Sequence, residues 1–147
     1  RQALWTLRHN AYYAILATRP GARAIVTDIC VPISRLAEAV EDTRADIAAS
    51  PITGPILGHV GDGNFHAILL IDPDNAAERS AALRLSDQMV DRALRLGGTA
   101  TGEHGVGMGK LKFMDQEHGP AWGLMGDLKR QLDPLNILNP GKLVQQN

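Results

Sequence analysis

Four side chains in this sequence have the types and spacing that metal-assisted chemistry needs: His59, His66, Glu103 and His104. The two histidines flank Asp62-Gly63, which sits between short apolar runs. That pattern predicts a hairpin, because a two-residue type I′ turn needs positive φ at both central residues. Such a turn pairs Gly61 with Asn64, Val60 with Phe65, and His59 with His66. Opposed residues on antiparallel strands hold their Cβ atoms roughly 5 Å apart on one face. Two imidazoles at that separation can chelate one cation, although two satisfied histidines on an ordinary hairpin would read the same way. A catalytic divalent site usually takes three protein ligands and leaves one position open. Glu103 is the best third ligand. Neighbours in an extended segment point to opposite faces, so Glu103 and His104 divide the work between ligand and general base, since an unperturbed imidazole titrates near neutral pH. Two histidines and one carboxylate suit zinc, manganese or iron alike.

The stretch Gly102 to Gly109 invites a second reading, a phosphate-binding glycine loop, with Gly-Val-Gly-Met-Gly-Lys opening a helix. Its spacing matches neither the P-loop nor the dinucleotide fingerprint. Asp62 reads as a turn residue. Asn64 either orients a substrate or caps the hairpin, and His9 and His118 read as surface residues.

These residues need a scaffold, and the chain supplies its signals in order. Leu4, Trp5, Leu7, Tyr12, Ile15 and Leu16 recur at helical spacing over 2–17, before Arg19-Pro20-Gly21 breaks the segment. Ala24 to Val31 is rich in β-branched residues and reads as one strand. Ser34 is placed to N-cap a helix through Ala49, with Leu36, Val40, Thr43 and Ile47 along its apolar stripe. Strands over 55–60 and 65–71 follow. Asn75 with Glu78 looks like a capping box for a helix that buries Ala82, Leu85, Met89, Ala93 and Leu96 and ends at Gly97-Gly98. Thr99 to Glu103 is a short extended piece. Lys110 to Glu117 and Ala121 to Leu132 read as short helices, the second burying Trp122, Met125, Leu128 and Leu132. A tail rich in turn formers closes the chain. The order β-α-β-β-α-β predicts an α+β fold: a ferredoxin-like antiparallel sheet with helices on one face, plus helices at both termini.

Length and charge narrow the function. The 147 residues suffice for one domain, and with a net charge of −1 and few aromatics nothing suggests a nucleic-acid partner. No run reaches membrane-spanning length. One cysteine, Cys30, excludes an internal disulfide and suits a reducing compartment. The expected location is cytoplasmic, peripheral to the inner membrane at most.

Three longer motifs resemble a family. They are Gly-His-Val-Gly-Asp-Gly-Asn-Phe-His at 58–66, Thr-Gly-Glu-His-Gly-Val-Gly-Met-Gly-Lys at 101–110, and Leu-Asp-Pro-Leu-Asn-Ile-Leu-Asn-Pro-Gly-Lys at 132–142. With Arg8-His9-Asn10 and Val31-Pro32-Ile33-Ser34-Arg35-Leu36, the sequence is similar to the C-terminal part of the FAD-linked D-2-hydroxy acid dehydrogenases, of the vanillyl-alcohol-oxidase flavoprotein type. Within that family the resemblance runs nearest to cytochrome-type D-lactate dehydrogenases, with the glycolate oxidase flavin subunit close by. It implies that residues 1–147 are the substrate, or cap, domain, with the FAD-binding domain outside this sequence, so that the piece alone would hold FAD poorly and be inactive. It implies His59, His66 and Glu103 as ligands of a divalent metal, His104 as the base, and Arg8 as the grip on the substrate carboxylate. Asn139 and Lys142 fall in the tail that returns to the flavin domain. FAD and a cytochrome or quinone-type electron acceptor complete the implied partners.

The implied reaction is oxidation of D-lactate to pyruvate with hydride transfer to flavin. Relatives that act on longer diacids tend to carry a basic group just before the Val-Pro-Ile stretch, and Ala24-Ile25-Val26-Thr27 offers none. Glycolate or D-2-hydroxyglutarate as substrate is the enzymatic alternative. A non-catalytic metal-binding module and a metal-dependent hydrolase are the alternatives of other classes.

Overall fold

A computed structural model describes residues 2–144, the side chain of Leu4 excepted. The framework is a four-stranded antiparallel sheet built around one long strand, β4 (Asn64–Ile71), whose alternate residues are buried on both faces. Along one edge of β4 lie β1 (Arg23–Val26) and β2 (Ile29–Cys30); along the other lies β3 (Ile56–His59). The flanking helices are α1 (Gln2–Ala17), α2 (Leu36–Ala48) and α3 (Ala76–Arg95), and α4 (Met114–His118) and α5 (Pro120–Leu132) follow. No helix among the described residues is long and apolar enough to cross a membrane. The expected α+β architecture with an antiparallel sheet is the one observed. Its sixth element, the extended piece after α3, is reduced to a single bridge between Thr99 and Cys30.

Strand alternation gives β4 two different faces. Phe65, Ala67, Leu69 and Ile71 join Leu36 and Ala39 of α2 and Ala82, Leu85, Met89, Val90 and Ala93 of α3 in the main core. Asn64, His66, Ile68 and Leu70 point to the opposite face, which α1 approaches. Arg19, just after α1, donates to the Leu70 carbonyl and makes a two-pronged pair with Glu78 of α3 at 2.8 and 3.0 Å.

Several local expectations shift. Ser34 does not cap α2: Pro32 opens a 3-10 turn over Ile33–Arg35, and the helix begins at Leu36. Asn75 does cap α3, accepting from the amides of Ala77 and Glu78. Glu78 does not complete a capping box, because its carboxylate is taken by Arg19 and by the amide of Asp72. Trp122 and Met125 of α5 are half-buried, whereas Leu128 and Leu132 face outward at 56% and 81% exposure. Leu124 shares their side of the helix, and the row runs on through the exposed Leu135, Ile137 and Leu138.

The hairpin register also differs. His59 faces Asn64 and Leu57 faces His66, so pairing is offset by two residues from the expected one. Val60–Asp62 form a 3-10 turn, and Gly63 alone takes positive φ, at 73°. An offset of two leaves every side chain on its original face. His59 and His66 therefore become diagonal neighbours, with ring centroids 5.9 Å apart.

Candidate active site

The site lies at the end of the α1-facing side of the sheet, where β3, β4 and the break between β1 and β2 meet the loop after α3. On either side of that break the register with β4 is the same, which sets Asp28 across from His66. The break is chemical in origin. Thr27 donates its amide to the Ala67 carbonyl at 3.0 Å, as a regular ladder requires. The return bond does not come from the Thr27 carbonyl: the Ala67 amide donates instead to the Thr27 hydroxyl, at 2.8 Å. The carbonyl so released lies 2.9 Å from Nδ1 of His66. A carbonyl only accepts, so Nδ1 is the donor of this bond, and in the neutral ring that leaves the lone pair on Nε2.

That lone pair points to the other candidate ligands. Oε1 of Glu103 lies 3.2 Å from Nε2 of His66 and 3.6 Å from Nε2 of His59. One ligand atom from each of His59, His66 and Glu103 falls within 4.8 Å of the others. Two imidazole nitrogens and one carboxylate oxygen are the donor types that a divalent cation of the zinc, manganese or iron type takes. The support behind His66 is of the kind that orients metal-bound imidazoles. His104 stands beside this trio, its Nε2 3.5 Å from Oε1 of Glu103 and its ring centroid 5.8 Å from that of His66. It is two-thirds exposed, open to a small molecule above the cluster.

Arg8 of α1 reaches the same place, with one guanidinium nitrogen 3.3 Å from Nδ1 of His59. His9, next to it, stacks on Trp5 and takes no part. Asn64 lies beneath the cluster, 5% exposed, and donates its amide to Oδ1 of Asp28 and to the Ile29 carbonyl at 2.9 Å each. Its own Oδ1 has no hydrogen-bond partner among the described residues. Asn139 and Lys142 do not join this cluster. They line a cavity of about 330 Å³ formed by the end of α5 and the tail, together with Lys129 and Arg130. Lys129 is tied to Asp133 and Arg130 to Asp127. Asp133 is buried and accepts the amides of Ile137 and Leu138, which folds the tail back.

Thr27, Asp28 and Lys110 also belong to the site, although none was among the expected site residues. Asp28 is buried, and its carboxylate receives N–H donors from Asn64, Glu103 and His104. With His66 and His104 it also forms a second group of metal-ligand type. Lys110 sends its ammonium group inward to the carbonyls of Asp28 and Ala100, and burial pulls its pKa below the ordinary lysine value. The signal for Asp28 was legible: a charged residue in the middle of Ile-Val-Thr-Asp-Ile-Cys-Val, where a strand disfavours aspartate.

Residues 1–143 match the family described as FAD linked oxidases, C-terminal domain. A probable mitochondrial D-lactate dehydrogenase of Danio rerio is 48% identical over 99% of this chain and 29% of its own length. The mitochondrial cytochrome-type D-lactate dehydrogenase of Arabidopsis thaliana is 43% identical over 98% of the chain and 26% of its own length. A glycolate oxidase subunit of Bacillus subtilis is 35% identical over 96% of the chain and 30% of its own length. The chain thus spans under a third of these relatives. The mitochondrial names of the first two overturn the expectation of a cytoplasmic location. That expectation leaned on one free thiol, which reports redox conditions and not a particular compartment.

Proposed function

Because the chain belongs to the family of C-terminal domains of FAD-linked oxidases, we propose that it supplies the substrate side of an FAD-dependent dehydrogenase that oxidises D-lactate to pyruvate. The observation that carries this reading is the meeting of His59, His66 and Glu103, distant in sequence, around one point with His104 alongside. When bound, the divalent metal supplies Lewis-acid polarisation of the α-hydroxyl and the FAD supplies the hydride acceptor. His59, His66 and Glu103 would hold the metal. Arg8 grips the substrate carboxylate, where the guanidinium fork matches two oxygens. Nε2 of His104 would take the hydroxyl proton, and the bound FAD would be the acceptor of the C2 hydride, so the substrate would give up one proton and one hydride.

Asn139 and Lys142 belong to the flavin side, in the cavity between the end of α5 and the tail. The FAD-binding domain lies in the remaining length that the relatives possess. The acceptor that would reoxidise the flavin is of the cytochrome or quinone type, in keeping with the name of the Arabidopsis relative. Lactate is favoured over a diacid because no basic side chain occupies Ala24 to Thr27 beside the site.

The test is a turnover screen of the full-length protein over D-lactate, glycolate and D-2-hydroxyglutarate with an artificial electron acceptor. D-lactate is expected to give the highest kcat/KM, and His104→Ala to lower its turnover by about 10²-fold or more. A preference for the diacid ends the lactate assignment. Unchanged turnover in His104→Ala favours a metal-binding module without catalysis.

A further inference from the structure

We propose that Asp28 is the positioning residue of this site, a single buried carboxylate that sets two metal ligands and the base together; the proposal rests on the metal-site reading above. Asp28 is 6% exposed and sits in the gap between β1 and β2, directly behind the cluster. Its Oδ2 receives the backbone amides of Glu103 and His104, both at 3.0 Å. Its Oδ1 receives the side-chain amide of Asn64 at 2.9 Å and lies 3.5 Å from Nδ1 of His66. Three N–H donors converging on one carboxylate make charge-assisted bonds, stronger than neutral ones. The loop is wrapped closely around it. Gly102 has a φ of +51°, and a Cβ built there would stand 2.0 Å from Oδ1 of Asp28.

This geometry separates anchor from ligand. The oxygens of Asp28 are already engaged, whereas the Glu103 carboxylate is nearly half exposed and its Oε1 lies within 3.2–3.6 Å of three imidazole nitrogens. Asp28 therefore acts through Glu103, His104 and His66 and does not touch the cation. The Glu103–His104 turn carries no helix or strand bond of its own to hold it. Besides the Asp28 bonds, its amides make one contact with the main chain, from His104 to the Thr101 carbonyl at 3.3 Å. An asparagine at position 28 cannot replace the carboxylate, because its NH2 group must face one of the donors that now converge there.

The experiment uses the full-length protein and zinc as the probe metal. In Asp28→Asn, deuterium uptake by the segment 101–106 is expected to accelerate, and zinc affinity in chelator competition to fall about 10–100-fold. At saturating zinc, kcat for D-lactate falls more than KM rises, because the base is displaced. Should Asp28→Asn fail to fold, Gly102→Ala attacks the same contact from the loop side and is expected to give the same pair of changes. Arg19→Ala serves as the control for a merely structural loss: it lowers the melting temperature and leaves both readouts at wild-type values. Wild-type uptake and zinc affinity in both Asp28→Asn and Gly102→Ala, with zinc lost in Glu103→Gln, overturn the role of Asp28 alone. Zinc retained in Glu103→Gln overturns the metal-site reading and this proposal with it.

Discussion

Replacing Thr27 by valine removes one hydroxyl and almost no volume, so its effect isolates the exchange of hydrogen bonds at the strand break. The Ala67 amide loses its acceptor at 2.8 Å at a fully buried position of β4. Leaving that N–H unpaired would cost about 1–3 kcal/mol. The bond between the Thr27 carbonyl and the half-buried His66 ring nets about 0.5–1.5 kcal/mol. The larger number wins, and the Thr27 carbonyl swings back to the Ala67 amide to restore a regular ladder. His66 then loses its 2.9 Å partner and with it the fixed tautomer. The expected result is a melting temperature lowered by only a few degrees, since about 1 kcal/mol shifts a domain of this size by roughly 3–4 °C. Zinc affinity falls further, by about 10–100-fold, as for other lost supports of metal-bound imidazoles. Thr27→Ser keeps the hydroxyl and should match the wild type. Differential scanning calorimetry and chelator competition on the same samples give both values. Full zinc affinity together with an unchanged melting temperature in Thr27→Val would show that the hydroxyl holds nothing, and the account of the break would be wrong.

Three other outcomes are expected. Acid should weaken the fold through Glu78 and Asp133. Hydrogen bonds from Arg19 and then from the Asp72 amide hold Glu78 below the usual carboxylate range, and Lys129 does the same for Asp133, with the Leu138 and Ile137 amides adding to it. Their contribution is complete above that range and is lost as pH falls through the lowered folded values, which melting curves at descending pH will record. Arg19→Ala should flatten part of that loss. Gly63→Ala must hold a side chain at a φ of +73° with its Cβ 2.1 Å from the Val31 carbonyl oxygen. Urea titration should show it destabilised by more than about 2 kcal/mol, combining the left-handed penalty with a disrupted bond from Val31 to Gly63. Stripping the full-length protein with a chelator should abolish D-lactate turnover, and added zinc, manganese or iron(II) should restore it with one of the three. Turnover that survives chelation would exclude a catalytic metal.

The convergence of the site was legible because it depends on parity more than on register. Asp62-Gly63 suggested a two-residue turn, whereas the chain uses a three-residue 3-10 stretch and places only Gly63 at positive φ. The pairing moved by two residues, and the histidines stayed on one face. Thr27 was hidden for a different reason. Ala24 to Val31 looks like one strand by composition, and nothing local tells that a threonine hydroxyl will stand in for its own carbonyl. The partners that make Asp28 valuable arrive from Glu103 and His104, far along the chain. The apolar stripe of α5 was readable as a stripe, but periodicity does not say which surface will cover it. Ser34 lost the capping position because Pro32 starts a tight turn ahead of the helix.

That uncovered stripe has a practical consequence for anyone handling residues 1–147 alone. Leu124, Leu128 and Leu132, continued by Leu135, Ile137 and Leu138, present a greasy ridge of the sort that soluble monomers rarely leave in water. At high concentration such a sample should clump or pair ridge to ridge, and bind a hydrophobic dye while its sheet remains intact. Glutamate at positions 128 and 132 should make it a better-behaved solute without touching a single residue of the chemistry.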